Sequence, residues 1–282
     1  MEYLHLNNGT KIPTTGIGTF LLQPSDAENA IVSALSNGYE LIDTANAYMN
    51  EKAVGRGMKK SGLKREAICL STKLWPSEYA DADRAIDDTL KRLDTDYIDL
   101  LFLHQPIGDY IGAYQAMERT VKVGKVKSLG LSNFPIEKIQ EIISVTEIKP
   151  AVLQVEAHPY YPQTALKEYL KDMGTLIMAW YPLGHGDHTL LNEAIFTELA
   201  EKYGKTTAQI ILRWHTQAGN IVIPGSKNEA HIKDNINIFD FTLTEEEMQK
   251  IAGLDKDVRY YTATEEALQG YLAFAPDFDS QE

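Results

Sequence analysis

The chain has 282 residues, 44% of them hydrophobic and 24% charged, and a formal charge of −13. That balance is ordinary for a globular protein, and its sign disfavours nucleic acids and anionic membranes as partners. No apolar run approaches the ~20 residues of a membrane span. The start "MEYLHLNNGT" lacks the basic, hydrophobic character of a signal peptide, and one cysteine cannot form an internal disulfide, so the expected compartment is the cytoplasm.

In chain order, "YLHL" and "KIP" around "NNGT" form a hairpin. "TTGIGTF" is a short strand, followed by a helix from about Ser25 to Asn37. Next come strand "YELID" and helix "NEKAVGRGMKKS", then strand "AICLSTKL" and helix "DADRAIDDTLKRL". Cys69, in the third of these strands, reads as buried packing rather than a reactive thiol. "YIDLLFLH" is nearly all apolar, the mark of a strand covered on both faces, and leads to helix "IGAYQAMERTVKVG". "KVKSLGLSNF" precedes "PIEKIQEIISV", where Pro135 suits the first helical turn. "AVLQVEAH" precedes "TALKEYLKDMG", and "TLIMAWYPLG" is a seventh strand. Helices near 193–203 and 206–218 lead to an eighth, "NIVIPGS", then to "NEAHIKDNI" and "TEEEMQKIAGL". Disorder is expected only in the last residues, "DFDSQE".

Eight strands alternating with helices predict a (β/α)8 TIM barrel with an N-terminal β-hairpin, a fold typically of ~250 residues; a doubly wound open sheet is the alternative. No linker or repeat divides the chain, so residues 1–282 are expected to be a single domain.

The ends of the strands are polar: Asp43, Lys73, His104, Ser132 with Asn133, Gln154 with Glu156, Trp180 with Tyr181, and Ser226 with Lys227. In a barrel these positions share the carboxyl-terminal rim, where active sites of this fold lie. Taken singly, each has a structural explanation: an Asp caps a helix, a His is satisfied in the core, a Lys is solvated. Their convergence, with Tyr48 five residues after Asp43, points to chemistry. A phenol near pKa ~10 is a weak acid at neutral pH. A lysine ammonium beside it lowers that pKa, an aspartate keeps the lysine charged, and a histidine orients a substrate oxygen. Such a set delivers a proton to a carbonyl oxygen, and the matching hydride requires a nicotinamide. The chain lacks a GxGxxG fingerprint after the first strand, a paired Cys/His cluster for zinc and a GxSxG elbow, so no metal is expected.

The motifs "IDTANAYMNEKAVG", "LSTKLW", "DLLFLHQP", "GLSNF", "LQVEAHPY" and "WYPLG", in order, resemble those of the aldo-keto reductase superfamily, most closely its bacterial short-loop members. The resemblance implies NAD(P)H-dependent reduction of aldehydes or ketones by a catalytic set of Asp43, Tyr48, Lys73 and His104. It also implies that Ser132, Asn133 and Gln154 bind the nicotinamide carboxamide, with Trp180 stacked on the ring beside Tyr181 and Leu183. Asp234 and Asn235 match residues that hold the adenine end.

The chain departs from the family pattern at Gly225 and His231, where relatives place the Lys and Arg that grip the 2′-phosphate of NADP(H). Ser226, Lys227 and Asn228 remain as candidate contacts there, and NAD(H) is expected to be accepted as well as NADP(H). Gln105 replaces a Trp common in relatives. Phe20, Trp75 and Tyr110, with His104, are the candidate substrate contacts, and Tyr79 is a further candidate; Tyr260, Tyr261, Tyr271 and Phe274 in the resembling C-terminal loop either touch substrate or pack the tail. A monomer acting on a small-molecule carbonyl is expected. The alternatives are a non-catalytic nucleotide-binding or regulatory protein on the same barrel, and an isomerase or lyase using Tyr48 and Lys73 without hydride.

Overall fold

A computed structural model describes residues 1–282. Strands β1 (Tyr3–His5) and β2 (Lys11–Pro13) form the antiparallel hairpin. Eight parallel strands follow: β3 (Gly16–Gly18), β4 (Leu41–Asp43), β5 (Cys69–Leu74), β6 (Ile98–Leu103), β7 (Val126–Ser132), β8 (Val152–Glu156), β9 (Leu176–Trp180) and β10 (Ile221–Val222). They pair in sequence order, and parallel bridges Thr15–Val222 and Gly18–Gly225 join the first to the last, closing the barrel. The expected barrel is therefore observed, and the open-sheet alternative is excluded.

The helices are α1 (Pro24–Ser36), α2 (Glu51–Lys60), α3 (Ala82–Leu93), α4 (Tyr110–Lys122), α5 (Ile136–Ile143), α6 (Thr164–Lys171), α7 (His188–Leu191), α8 (Ala194–Tyr203), α9 (Thr207–Gln217), α10 (Glu229–Ile236), α11 (Glu245–Ala252) and α12 (Glu265–Ala273). None is long and apolar enough to cross a membrane. Inside the barrel, Leu41, Leu100, Phe102, Val152 and Met178 pack together, and Leu6 and Ile12 of the hairpin region join this cluster. Closure needs a residue without a side chain at Gly18: a Cβ there would lie 2.7 Å from the Ile223 carbonyl oxygen. Because the strands are short and their outer faces are sealed by helices, the polar residues at their carboxyl ends are held on rigid supports.

Three expectations need correction. The eighth strand stops at Val222, so Ser226 and Lys227 belong to the loop before α10 rather than to a strand end. Past Val222 the pairing thins to the isolated Gly18–Gly225 bridge, with Pro224 O accepting from Gly18 N (3.4 Å). The C-terminal "loop" contains α12, begun by Thr264, whose side chain accepts from Ala267 N. The last residues are docked: Phe278 is buried, the Asp279 carboxylate pairs with Arg92 (2.8 Å), and Gln281 Oε1 accepts from Lys52 N (3.0 Å). The expected disorder is therefore not observed; the buried partner Arg92 lies 187 residues away in sequence, where no local pattern signals it. Pro135 sits at the N-cap of α5, just ahead of the helix. Cys69 opens β5, and burial pushes its thiol well up, consistent with inert packing.

Candidate active site

The carboxyl rim encloses a cavity of about 630 Å³. Asp43, the last residue of β4, is buried and accepts three side-chain bonds: Lys73 Nζ (2.6 Å), Ser71 Oγ (2.8 Å) and Gln154 Nε2 (2.9 Å). Lys73, one residue from the end of β5, has no exposure, and its ammonium also donates to Thr44 O (2.8 Å). Thr44 O and Asp43 therefore aim the charge from two sides. Tyr48 ends a single 3₁₀ turn, Asn46–Tyr48, closed by Met49 in the left-handed region. That turn lays the phenol ring over Lys73, with Nζ 4.8 Å from the ring centroid. His104, immediately after β6, is edge-on to both Tyr48 (5.5 Å) and Trp75 (4.8 Å), and its Nδ1 is buried without a partner.

Burial works most strongly against the Lys73 ammonium, but the charge and hydrogen bond of Asp43 together with those of Tyr48 outweigh it and hold its pKa above the ordinary value. Burial and then Lys73 push His104 well below its usual range, so its imidazole is neutral at pH 7. For Tyr48 the sequence expectation is corrected. Lys73 does lower its pKa, but burial outweighs that and Asp43 raises it further, so the net shift is upward. The phenol therefore stays protonated at neutral pH, as a proton donor must. Asp43 acts on it through Lys73, not by direct lowering.

Ser132, Asn133 and Gln154 come together on one wall. Asn133, in the left-handed region after β7, accepts from Trp180 Nε1 (2.9 Å) and donates to Ser132 Oγ (3.2 Å). Trp180, Tyr181 and Leu183 also line the cavity. Two side-chain amides and a hydroxyl beside a flat indole suit a carboxamide-bearing aromatic ring, so the residues present fit a nicotinamide. Phe20, Trp75, Tyr261, Tyr271 and Phe274 also line the cavity. This separates the C-terminal aromatics: Tyr260 packs down, its N–H on Glu156 (2.6 Å) and its hydroxyl on Asp187 (2.6 Å), while the other three face the cavity.

Two candidates lie elsewhere. Tyr110 is outside the lining; its hydroxyl pairs with Glu141 and its ring meets Phe134 edge-on, because it opens α4 on the barrel's outer layer. Tyr79 is in the core, exchanging hydrogen bonds with the Gln105 backbone. Around the start of α10, Asn228 caps the helix, accepting from Ala230 N (2.9 Å) and His231 N (3.4 Å), and Ser226 Oγ accepts from Asn228 N (3.1 Å). Lys227 is exposed and paired with Asp26 of α1 (3.2 Å). His231 and Asp234 are exposed on α10, and Asn235 is buried. This group does not line the main cavity. Leu21, Ala47 and His185 also line the cavity without any motif to mark them, Leu21 from the turn after β3 and the other two from single 3₁₀ turns. No group of three or more His, Cys, Asp or Glu is arranged to hold a metal.

The aldo/keto reductase family model matches residues 14–256. The chain belongs to the aldo/keto reductase family. It is 42% identical over 259 residues to an aldo-keto reductase of Mycobacterium sp. strain KMS, covering 90% of this chain and 93% of that one. It is 40% identical over 262 residues to the glyoxal reductase of Bacillus subtilis strain 168, covering 92% and 94%. Among solved structures, the aldo-keto reductase of Bombyx mori in complex with NADP superimposes with a TM-score of 0.86 at 32% identity, over 93% of this chain and 95% of that one. This aldo-keto reductase is an NAD(P)H-dependent oxidoreductase of carbonyl compounds.

Proposed function

We propose that Tyr48 is the proton donor in this reductase, that Lys73 and Asp43 govern its ionisation, and that neutral His104 holds the substrate oxygen. The observation that carries this reading is the fully buried Lys73–Asp43 pair lying under the Tyr48 ring at the cavity floor. When bound, a nicotinamide dinucleotide supplies the hydride that no side chain can carry. The chain's own groups then act on the carbonyl oxygen. As negative charge develops there, the Tyr48 hydroxyl gives up its proton, and the ammonium beside it stabilises the phenolate that remains. His104 orients the oxygen, and the amides of Asn133 and Gln154, with Ser132 and Trp180, would hold the nicotinamide when it is bound. The apolar wall around Phe20 and Trp75 supports small apolar or aromatic carbonyls, including dicarbonyls, as substrates.

NADPH is the expected cofactor, with NADH accepted unusually well. Gly225 and His231 stand where relatives place two permanent cations, and Lys227, two residues after Gly225, is engaged with Asp26. We place Ser226, Lys227, Asn228 and His231 near the adenosine phosphate and Asp234 and Asn235 near the adenine. The charge of −13 supports a small molecule rather than nucleic acid as partner. A cytoplasmic monomer completes the reading, testable by light scattering on a sizing column.

The test follows absorbance at 340 nm with an aromatic aldehyde and each cofactor in parallel. Oxidation of both, within a few tens of each other in kcat/KM, is expected. A thousandfold preference for NADPH would remove the relaxed-cofactor idea, and oxidation of neither would favour a regulatory nucleotide-binding role.

A further inference from the structure

The 3₁₀ segment Pro76–Asp81, between β5 and α3, touches the mounts of both groups assigned to the carbonyl oxygen. Glu78 reaches one side. Its carboxylate accepts from Asn46 Nδ2 (2.8 Å), and Asn46, without exposure to water, opens the single turn that ends at Tyr48. Tyr79 reaches the other. Its buried hydroxyl accepts from Gln105 N (3.1 Å) and donates to Gln105 O (3.0 Å), gripping the backbone directly after His104. Trp75, which precedes the segment, sets its indole edge-on to His104 itself (4.8 Å).

Neither of the two side chains secures its own place. His104 Nδ1 has no protein partner, so the ring is placed by its backbone and by the rings around it. Tyr48 rides on one 3₁₀ turn, and a single turn has little stability of its own. The bonds from Glu78 and Tyr79, adjacent in sequence, join these two weak points through one short stretch of backbone. That stretch is itself closed, since Glu78 N donates to Trp75 O (3.0 Å) and Arg84 of α3 pairs with Asp81 (2.8 Å). The Tyr48 and His104 rings stand 5.5 Å apart. Both must reach one oxygen, and a misplacement of about 1 Å can cost about 10²-fold in rate.

We propose that Glu78 and Tyr79 are positioning residues, and that the Pro76–Asp81 segment is the brace that sets Tyr48 against His104. This rests on the roles given to Tyr48 and His104 above and adds what holds the two in register.

The test is a pair of double-mutant cycles on kcat with NADPH and an aromatic aldehyde, with NADPH fluorescence titration giving the fraction of folded sites. Tyr79→Phe keeps the ring and removes the grip on Gln105. It is expected to lower kcat about tenfold or more while the NADPH Kd stays within about twofold. In a His104→Ala background the same change is expected to move kcat by less than about twofold, because the group it positions is gone. On the other side, Glu78→Leu is expected to lower kcat about fivefold or more, and to lose that effect in a Tyr48→Phe background. Glu78→Gln keeps an oxygen for Asn46 Nδ2 and is expected to hold kcat within about twofold of the unmodified chain. A Tyr79→Phe loss as large without His104 as with it overturns the brace. So does Glu78→Gln no better than Glu78→Leu, or full kcat in Tyr79→Phe and Glu78→Leu. If Tyr79→Phe binds no NADPH, the Glu78 variants decide the matter alone. Full kcat in both Tyr48→Phe and His104→Ala instead overturns the roles of those two residues, whatever the brace variants do.

Discussion

Lys73 carries its charge with no exposure to water, and Asp43 is the reason it can. Asp43→Asn would leave the ammonium with only neutral partners, and stranding a buried charge costs about 3–5 kcal/mol. Urea unfolding should show a loss of that size, and a change below 1 kcal/mol would mean the pair is not the electrostatic unit described here. The proton inventory makes a second claim. His104 is held neutral well below its usual range and Tyr48 protonated above its own. The kcat/KM profile for reduction should therefore lack an acid limb near 6.5 and fall only at high pH, as Tyr48 loses its proton. A limb at 6.5 would assign His104 a charged role. On the proposal that His231 lies by the adenosine phosphate, His231→Arg puts a permanent cation at that exposed position. A charge-assisted contact worth about 1.5–3 kcal/mol should raise the NADPH-to-NADH ratio of kcat/KM roughly ten- to hundredfold, and an unchanged ratio would put the phosphate elsewhere.

Elements show what the sequence made legible and what it did not. The eight strands were readable because polar residues closed each apolar run, and this also exposed Asp43, Lys73, His104, Ser132 and Gln154 as neighbours. The eighth strand ends earlier than its apolar pattern suggests, because past Val222 the pairing thins to one isolated bridge at Gly225. Tyr110 and Tyr79 were ambiguous because an aromatic after a strand faces either the cavity or the helical layer, and only packing chooses. The tail shows the same limit. Arg92 on α3 bridges Glu51 at the start of α2 (2.7 Å) and Asp279 (2.8 Å), a long-range arrangement no local pattern encodes. Deleting residues 277–282 should expose Phe278's site and destabilise the chain by at least roughly 1.5–3 kcal/mol, the value of one buried aromatic. A melting temperature unchanged by the deletion would show the tail to be merely resting there. Helix packing is equally demanding at Gly55, where a Cβ would lie 2.6 Å from the Leu93 carbonyl oxygen, so α2 and α3 meet backbone to backbone.

Taken whole, the barrel buries neutral histidines that limit its acid stability. His215 accepts from Asn220 Nδ2 (3.2 Å) at Nδ1 and faces Pro182 O (3.1 Å) with Nε2, so the neutral form is fully satisfied; burial lowers its pKa from 6.5 to about 3. His104 is lowered too. The unfolded chain takes up protons at these positions below pH 6.5 while the folded chain does not. Their contribution is complete above 6.5 and falls as pH drops toward the folded values, by up to about 1.4 kcal/mol per pH unit for each group. Thermal unfolding across pH 7 to 4 should show that decline beginning near 6.5, and a flat curve would contradict the burial of neutral imidazoles. The central claim is that this whole scaffold serves one proton, carried by Tyr48. Its most direct test is kcat for an aldehyde in Tyr48→Phe, with cofactor binding measured alongside. A fall of about 10²- to 10⁴-fold with NADPH affinity retained is expected of a lost general acid, whereas undiminished turnover would take Tyr48 out of the reaction.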